Sequence, residues 1–233
     1  MQNSSIRVVG PANEEELDGD PCQALNDYDE ASVARIAVCE PWHSLLGGPG
    51  EEGMPISDND DGTSCLVYGR KGTGKTSLLL RLAASVKNSV WVPAERGMGP
   101  EMLKSYAKRM GLDLHESFRV VEPGSLDEMA SAIRARRRTL VVVDSVSAFP
   151  YPIDAWTTFR DAAPGAAFFA VVHVTKRGQM AGEEKLGHLC DTIVKVNTKT
   201  VTIPQKNRFG PPCSVPNPEY KRVARATSSK SKA

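Results

Sequence analysis

The residues with the clearest chemical meaning stand together: Gly69-Arg70-Lys71-Gly72-Thr73-Gly74-Lys75-Thr76, followed by Ser77. They satisfy the spacing GxxxxGK[ST], in which a glycine-rich turn opens a helix and aims successive backbone N–H groups at phosphate oxygens. Lys75 is placed to reach the β- and γ-phosphates of a nucleoside triphosphate, and the Thr76 hydroxyl to ligate Mg²⁺. A second carboxylate-bearing stretch, Leu140-Val141-Val142-Val143-Asp144, reads as a buried strand ending in Asp. At such a strand end Asp144 would hold Mg²⁺ through water beside the glycine-rich turn; the plainer alternative is a capping aspartate with no ion nearby. Glu95 follows the apolar run 90–93 closely. A carboxylate there can polarise an attacking water, although surface glutamates after strands are common.

These residues need elements to hold them, and the pattern from residue 65 onward supplies alternating strands and helices, the signature of a parallel α/β sheet. Residues 65–68 read as the strand before the turn, and 77–86 as the helix after it. Strands are expected over 89–92, 118–121, 140–144 and 166–173. Helices are expected over 100–110, 125–138, 154–163 and 184–190. The 100–110 helix has Met102, Tyr106 and Met110 on one face, and the 125–138 helix opens with a capping-box pattern, Ser125 to Glu128. Residues 192–196 and 200–204 alternate around Asn197-Thr198-Lys199 and predict an antiparallel hairpin.

Outside this core, residues 1–35 are polar and acidic and read as a disordered arm. Residues 33–50 read as an entry that packs against the outside of the core, and 51–64 as a surface loop. Residues 211–233, Pro-rich and then basic, read as an irregular tail, which leaves 36–210 as the domain. Net charge is +1, but residues 1–62 carry two basic and fourteen acidic side chains, and the remainder 27 basic and 14 acidic. An acidic arm on a basic body suits a polyanionic partner, or is a solubilising tail on an ordinary core. The five cysteines are scattered without a C-x-x-C pair, which indicates neither a zinc site nor a disulfide framework. No signal peptide and no apolar run long enough to span a bilayer is present, so a cytoplasmic protein without a membrane partner is expected.

Three segments, 90–95, 140–145 and 173–178, together with Gln205-Lys206-Asn207-Arg208-Phe209-Gly210, resemble RecA-type recombinase ATPases of the bacterial RadA/Sms branch, whose hallmark is KNRFG. The resemblance covers roughly residues 65–210. It implies a RecA-like α/β fold with a mainly parallel central sheet flanked by helices, bound ATP and Mg²⁺, and a homo-oligomer, ring or filament. It further implies single-stranded DNA as ligand, DNA-dependent ATP hydrolysis, and a role in recombination or repair. By position, Glu95 resembles the water-activating glutamate and His173 the polar switch that senses the γ-phosphate. Lys176, Arg177 and Lys185 fall in the flexible DNA-facing loop, and Lys206 and Arg208 resemble residues that reach the neighbouring subunit's nucleotide. The family's sheet order places the strand before the P-loop next to the His173 strand, then the Asp144 strand, then the Glu95 strand. Its four-cysteine zinc module and C-terminal protease-like domain have no counterpart here, and the segment between Asp144 and His173 is short. These departures weigh against helicase-like translocation more than against hydrolysis. They leave room for a regulatory ATP-binding module that controls protein assembly; a small-molecule kinase fits Glu95 and KNRFG poorly.

Overall fold

The computed structural model describes residues 35–47, 53–56, 62–95, 98–135, 137–174, 184–205, 208 and 210–220. The acidic arm up to residue 34, Lys176, Arg177 and Lys206, and the basic end from residue 221 lie outside the described residues.

Two short strands, β1 (Arg35–Ile36) and β2 (Met54–Pro55), pair antiparallel and flank helix α1 (Trp42–Leu46). Then come β3 (Ser64–Tyr68), α2 (Lys75–Ser85), β4 (Ser89–Pro93), α3 (Pro100–Met110), β5 (Arg119–Val120) and α4 (Leu126–Arg134). The chain continues through β6 (Leu140–Asp144), a 3₁₀ turn, α5 (Pro152–Asp161), β7 (Ala167–Val172) and α6 (Glu184–Leu189). It closes with β8 (Thr192–Val196), β9 (Thr200–Ile203) and β10 (Cys213–Pro216).

The main sheet has the order β10-β9-β8-β3-β7-β6-β4-β5, parallel from β8 to β5 and antiparallel through β9 and β10. This is the expected RecA-like α/β architecture, with the hairpin at its C-terminal side. The β3, β7, β6, β4 succession is the order that the resemblance implied.

Alternation within each strand divides the core into two layers, because successive side chains point to opposite faces. Leu140 and Val142 of β6, with Phe169 and Val171 of β7, pack with the leucines of α2 and with Leu103 of α3. Val141, Val143, Phe168 and Ala170 pack on the other face with Met129 of α4 and Trp156 and Phe159 of α5. Covered on both faces, the central strands read as continuous apolar runs. In α2 the side chains of Leu78, Leu79, Leu80 and Leu82 are all fully buried, each contributing about 2 kcal/mol of transfer free energy. The helix that follows the glycine-rich turn is therefore firmly seated.

Helix boundaries follow their caps. In α4 the Ser125 hydroxyl accepts from the Glu128 amide at 3.3 Å, while Glu128 accepts from the Ser125 amide at 2.8 Å, completing the capping box. Helix α3 starts at Pro100, has Glu101 in its first turn and Lys108 and Arg109 in its last, and stops at Gly111 with φ +67°.

Several expectations need correction. Helix α4 ends at Arg134, four residues short of its expected end. The buried face of α3 is Leu103, Ala107 and Met110; of the three residues expected on one face, Met110 is buried, Tyr106 is partly buried against the core and Met102 is exposed. Trp42 is no outer packing residue. Its side chain is fully buried, meets Phe169 edge-on with centroids 5.3 Å apart, and donates its indole N–H to the Leu78 carbonyl at 3.0 Å. The expected loop 51–64 contains β2, where Met54 is fully buried. Residues 211–220 are not tail: β10 pairs with β9 over Cys213–Pro216, an edge position where proline removes no required ladder bond.

Candidate active site

The parallel strands β3, β4, β6 and β7 all end at one edge, and the chemistry-bearing residues follow those ends. A cleft of about 740 Å³ there is lined by Lys71 through Ser77, Glu95, Asp144 and His173. Gly69 and Arg70 line an adjoining recess with Lys195 and Lys199. Every residue singled out from the P-loop, together with Glu95, Asp144 and His173, is thus brought to one place.

The turn owes its shape to its glycines: Gly72 has φ +81° and Gly74 has φ +94°, a region that side chains with a Cβ disfavour. Thr73 closes it from within, its hydroxyl donating to the Arg70 carbonyl at 2.9 Å. The Lys75 ammonium donates to the carbonyls of Gly69 at 2.9 Å and Arg70 at 3.1 Å. Burial pulls the Lys75 pKa below its ordinary value, opposed by the carboxylates of Asp144 and Glu95. Phosphate oxygens would give this cation stronger partners than neutral carbonyls.

Thr76 donates its hydroxyl to an Asp144 carboxylate oxygen at 2.7 Å. Asp144 is only 4% exposed, and burial pushes its pKa up to about 6, with the Thr76 hydroxyl pulling the other way and Glu95 adding to the rise. A hydroxyl and a buried carboxylate held in contact at the mouth of the turn are a fitting pair of hard oxygen ligands for Mg²⁺, whose charge would relieve the cost of burying the carboxylate.

Glu95 reaches the site because the amides of Ala94 and Glu95 both donate to the Asp144 carbonyl, at 3.0 and 3.2 Å, which ties the end of β4 to the end of β6. Its carboxylate accepts from the His173 ring Nε2 at 2.6 Å, so the two residues assigned separate roles from the sequence are joined directly. The His173 amide donates to the Ser147 hydroxyl at 3.0 Å.

Arg208 is placed elsewhere. Its amide and guanidinium bind Asp191, at 3.2 Å to the carbonyl and 2.9 Å to the carboxylate. Asp191 in turn accepts from the Ser64 amide and hydroxyl, both at 2.8 Å. Ser64 begins β3 and the P-loop follows its end, about 13 Å further along the strand. Arg208 therefore sits at the far end of the sheet from its own chain's cleft, with its side chain 70% exposed. Lys185 is exposed in the first turn of α6.

Sequence reasoning missed several residues at the cleft. Tyr106, expected only to share a helix face with Met102 and Met110, shares a hydrogen bond with the Ser77 hydroxyl, and Arg109 stacks over its ring at 5.3 Å. Thr198, Glu219 and Tyr220 also line the cleft. The last two follow β10, and nothing in a proline-rich run signals that it returns to the P-loop. Among the described residues no helix is long and apolar enough to cross a membrane.

No family model matches the chain. It is similar to the DNA repair protein RadA of Treponema pallidum (strain Nichols), with 24% identity over 233 residues, covering 90% of this chain and 47% of the relative. Against the DNA repair protein RadA of Bacillus subtilis (strain 168), identity is 28% over 173 residues, covering 64% of this chain and 37% of the relative. The protein of the same name from Brucella abortus (strain 2308) is 28% identical over 183 residues, with 64% and 38% covered. The chain spans less than half the length of these relatives.

Proposed function

We propose, from the similarity to DNA repair proteins named RadA, that the chain is an ATPase that binds Mg·ATP at the P-loop cleft, hydrolyses it in response to single-stranded DNA, and works in recombination or repair in the cytoplasm. The observation that carries this reading is the Thr76–Asp144 contact at 2.7 Å inside a cleft that also holds Lys75, Glu95 and His173. Lys75 and the P-loop amides bind and orient the triphosphate. Mg²⁺, held by Thr76 and Asp144, would supply the charge that offsets the phosphates. Glu95 accepts the proton of the attacking water, and His173 orients the Glu95 carboxylate and links it to the strand beside the P-loop.

The position of Arg208 supports a homo-oligomer with the site at the subunit boundary. A cation at the far end of the sheet cannot serve its own nucleotide, and one whose side chain is 70% exposed beside its Asp191 partner is within reach of a neighbouring subunit. Lys206 is assigned the same role, and Lys185, with Lys176 and Arg177, the contact with DNA. The test is ATPase rate with and without single-stranded DNA, alongside equilibrium binding of a fluorescent ATP analogue. Wild type should hydrolyse faster with DNA, and Lys75→Ala should bind the analogue about 100-fold more weakly, because the charge on the phosphates is gone. Unchanged binding by Lys75→Ala, or a rate indifferent to DNA, rejects the proposal.

A further inference from the structure

We propose that Asn217, in the segment that follows β10, is a positioning residue for the phosphate cradle and fixes the direction in which the Gly74 N–H points. The proposal rests on the nucleotide-site reading above and deepens it.

Asn217 is 3% exposed and does not line the cleft. Its side-chain amide donates to the Thr73 carbonyl at 2.9 Å and to the Asn197 carbonyl at 2.7 Å. Its side-chain oxygen accepts from the Glu219 amide at 3.0 Å, and its backbone N–H donates to the Lys199 carbonyl at 2.8 Å. The side chain is held in one orientation from both ends.

The Thr73 carbonyl belongs to the peptide that joins Thr73 to Gly74. That unit is planar and trans, so its C=O and N–H point to opposite sides. Pinning the carbonyl to Asn217 turns the Gly74 N–H away from Asn217, to the side where Thr73 and Gly74 line the cleft. A peptide beside a glycine at φ +94° otherwise flips at little cost, and a flip would present a carbonyl to the phosphates in place of a donor. The other internal bonds of the turn, from Lys75 and Thr73, hold the carbonyls of Gly69 and Arg70, and the Gly74 carbonyl accepts from Leu78 of α2, so the Thr73–Gly74 peptide is the one held from outside by Asn217. Glu219 keeps the anchoring segment seated. It is 6% exposed, accepts from Arg81 of α2 at 2.7 Å, and a Cβ at Gly74 would come within 3.1 Å of its own Cβ.

Asn217→Asp keeps the shape and the acceptor but removes both donors, and sets a carboxylate oxygen against two carbonyls. Kd for ATP and for inorganic tripolyphosphate is measured by calorimetry, together with Tm without ligand. Both Kd values should rise by about tenfold or more and in parallel, because the effect lies at the phosphates. Ser125→Ala, which removes the cap of α4, is the stability control: Tm falls and both Kd values stay within about threefold of wild type. Kd values for Asn217→Asp within about threefold of wild type overturn the proposal, as does a loss confined to ATP or an equal loss in Ser125→Ala. Wild type that binds neither ligand overturns the nucleotide reading itself, a distinguishable result. Should Asn217→Asp not fold, the wild-type Gly74 amide resonance decides: a shift on titration with tripolyphosphate supports the proposal, and an unmoved resonance overturns it.

Discussion

Strand β3 joins two unlike ends of the sheet, and each end is built around an aspartate. At the end that leads into the P-loop, Asp144 is buried with the Thr76 hydroxyl against it and lies near the ammonium of Lys75 and the carboxylate of Glu95. At the other end Asp191 accepts from the Ser64 amide, the Ser64 hydroxyl and Arg208. The first carboxylate is held at a cost that a bound ligand can relieve; the second is already supplied with donors. One end keeps a buried carboxylate beside an open cleft, and the other satisfies its carboxylate with donors and leaves one cation exposed. Sites that must accept a charged ligand are often destabilising in its absence, because their polar groups are matched to the ligand and not to each other.

The largest effect that could break this division is on turnover. Arg208→Ala and Glu95→Gln should each bind ATP within about threefold of wild type and each lose about 10³-fold in hydrolysis, one through the missing transition-state cation and the other through the missing base. Mixed together after confirmed subunit exchange, they should partly recover, because some boundaries then pair an intact Glu95 with an intact Arg208. A rate that stays at zero across all mixing ratios assigns both residues to one subunit's site and erases the contrast between the two ends.

The next effect is on stability, and the two aspartates should differ in sign. The folded-state pKa of Asp144 is raised from 3.8 to about 6, so between those values the folded chain keeps a proton that the unfolded chain has released. Stability is therefore lost as pH rises through that window, and the loss is complete above about pH 6. Without nucleotide or metal, Asp144→Asn should be more stable than wild type at pH 7, by on the order of 2–3 kcal/mol, and should flatten the fall between pH 4 and 6. Asp191→Asn turns an amide donor toward donors already present and should cost about 1–3 kcal/mol. Denaturant melts of both variants across pH check the pair; a destabilised Asp144→Asn would remove the distinction.

The smallest effect sharpens the account of Arg208. Its own side chain is largely exposed, and Asp191 keeps the Ser64 amide and hydroxyl as donors without it, so Arg208→Ala should change stability by less than about 1 kcal/mol, even as hydrolysis collapses. A larger loss in the same melts would make Arg208 a structural residue.

Much of this molecule is legible in the chain itself, where the determinants are local. The P-loop announces itself because glycine spacing and the following helix act over eight residues, and the Asp144 strand because a doubly covered strand must be apolar throughout. The capping box at Ser125 and the hairpin around residues 197–199 are local in the same way. Resemblance supplied the strand order, which spacing alone does not contain. Tertiary structure alone decided three things, each through partners far apart in sequence. Trp42 became core because the carbonyl of Leu78 and the ring of Phe169 meet it. Glu95 and His173 became a bonded pair because β4 and β7 end at the same edge, on either side of β6. Residues 213–220, whose prolines read as a tail, became an edge strand and a P-loop anchor, because β9 offered an unpaired edge and the Thr73 carbonyl a buried acceptor. Hydrogen bonds of that kind are set by which surfaces meet, and composition along the chain does not encode where a segment returns.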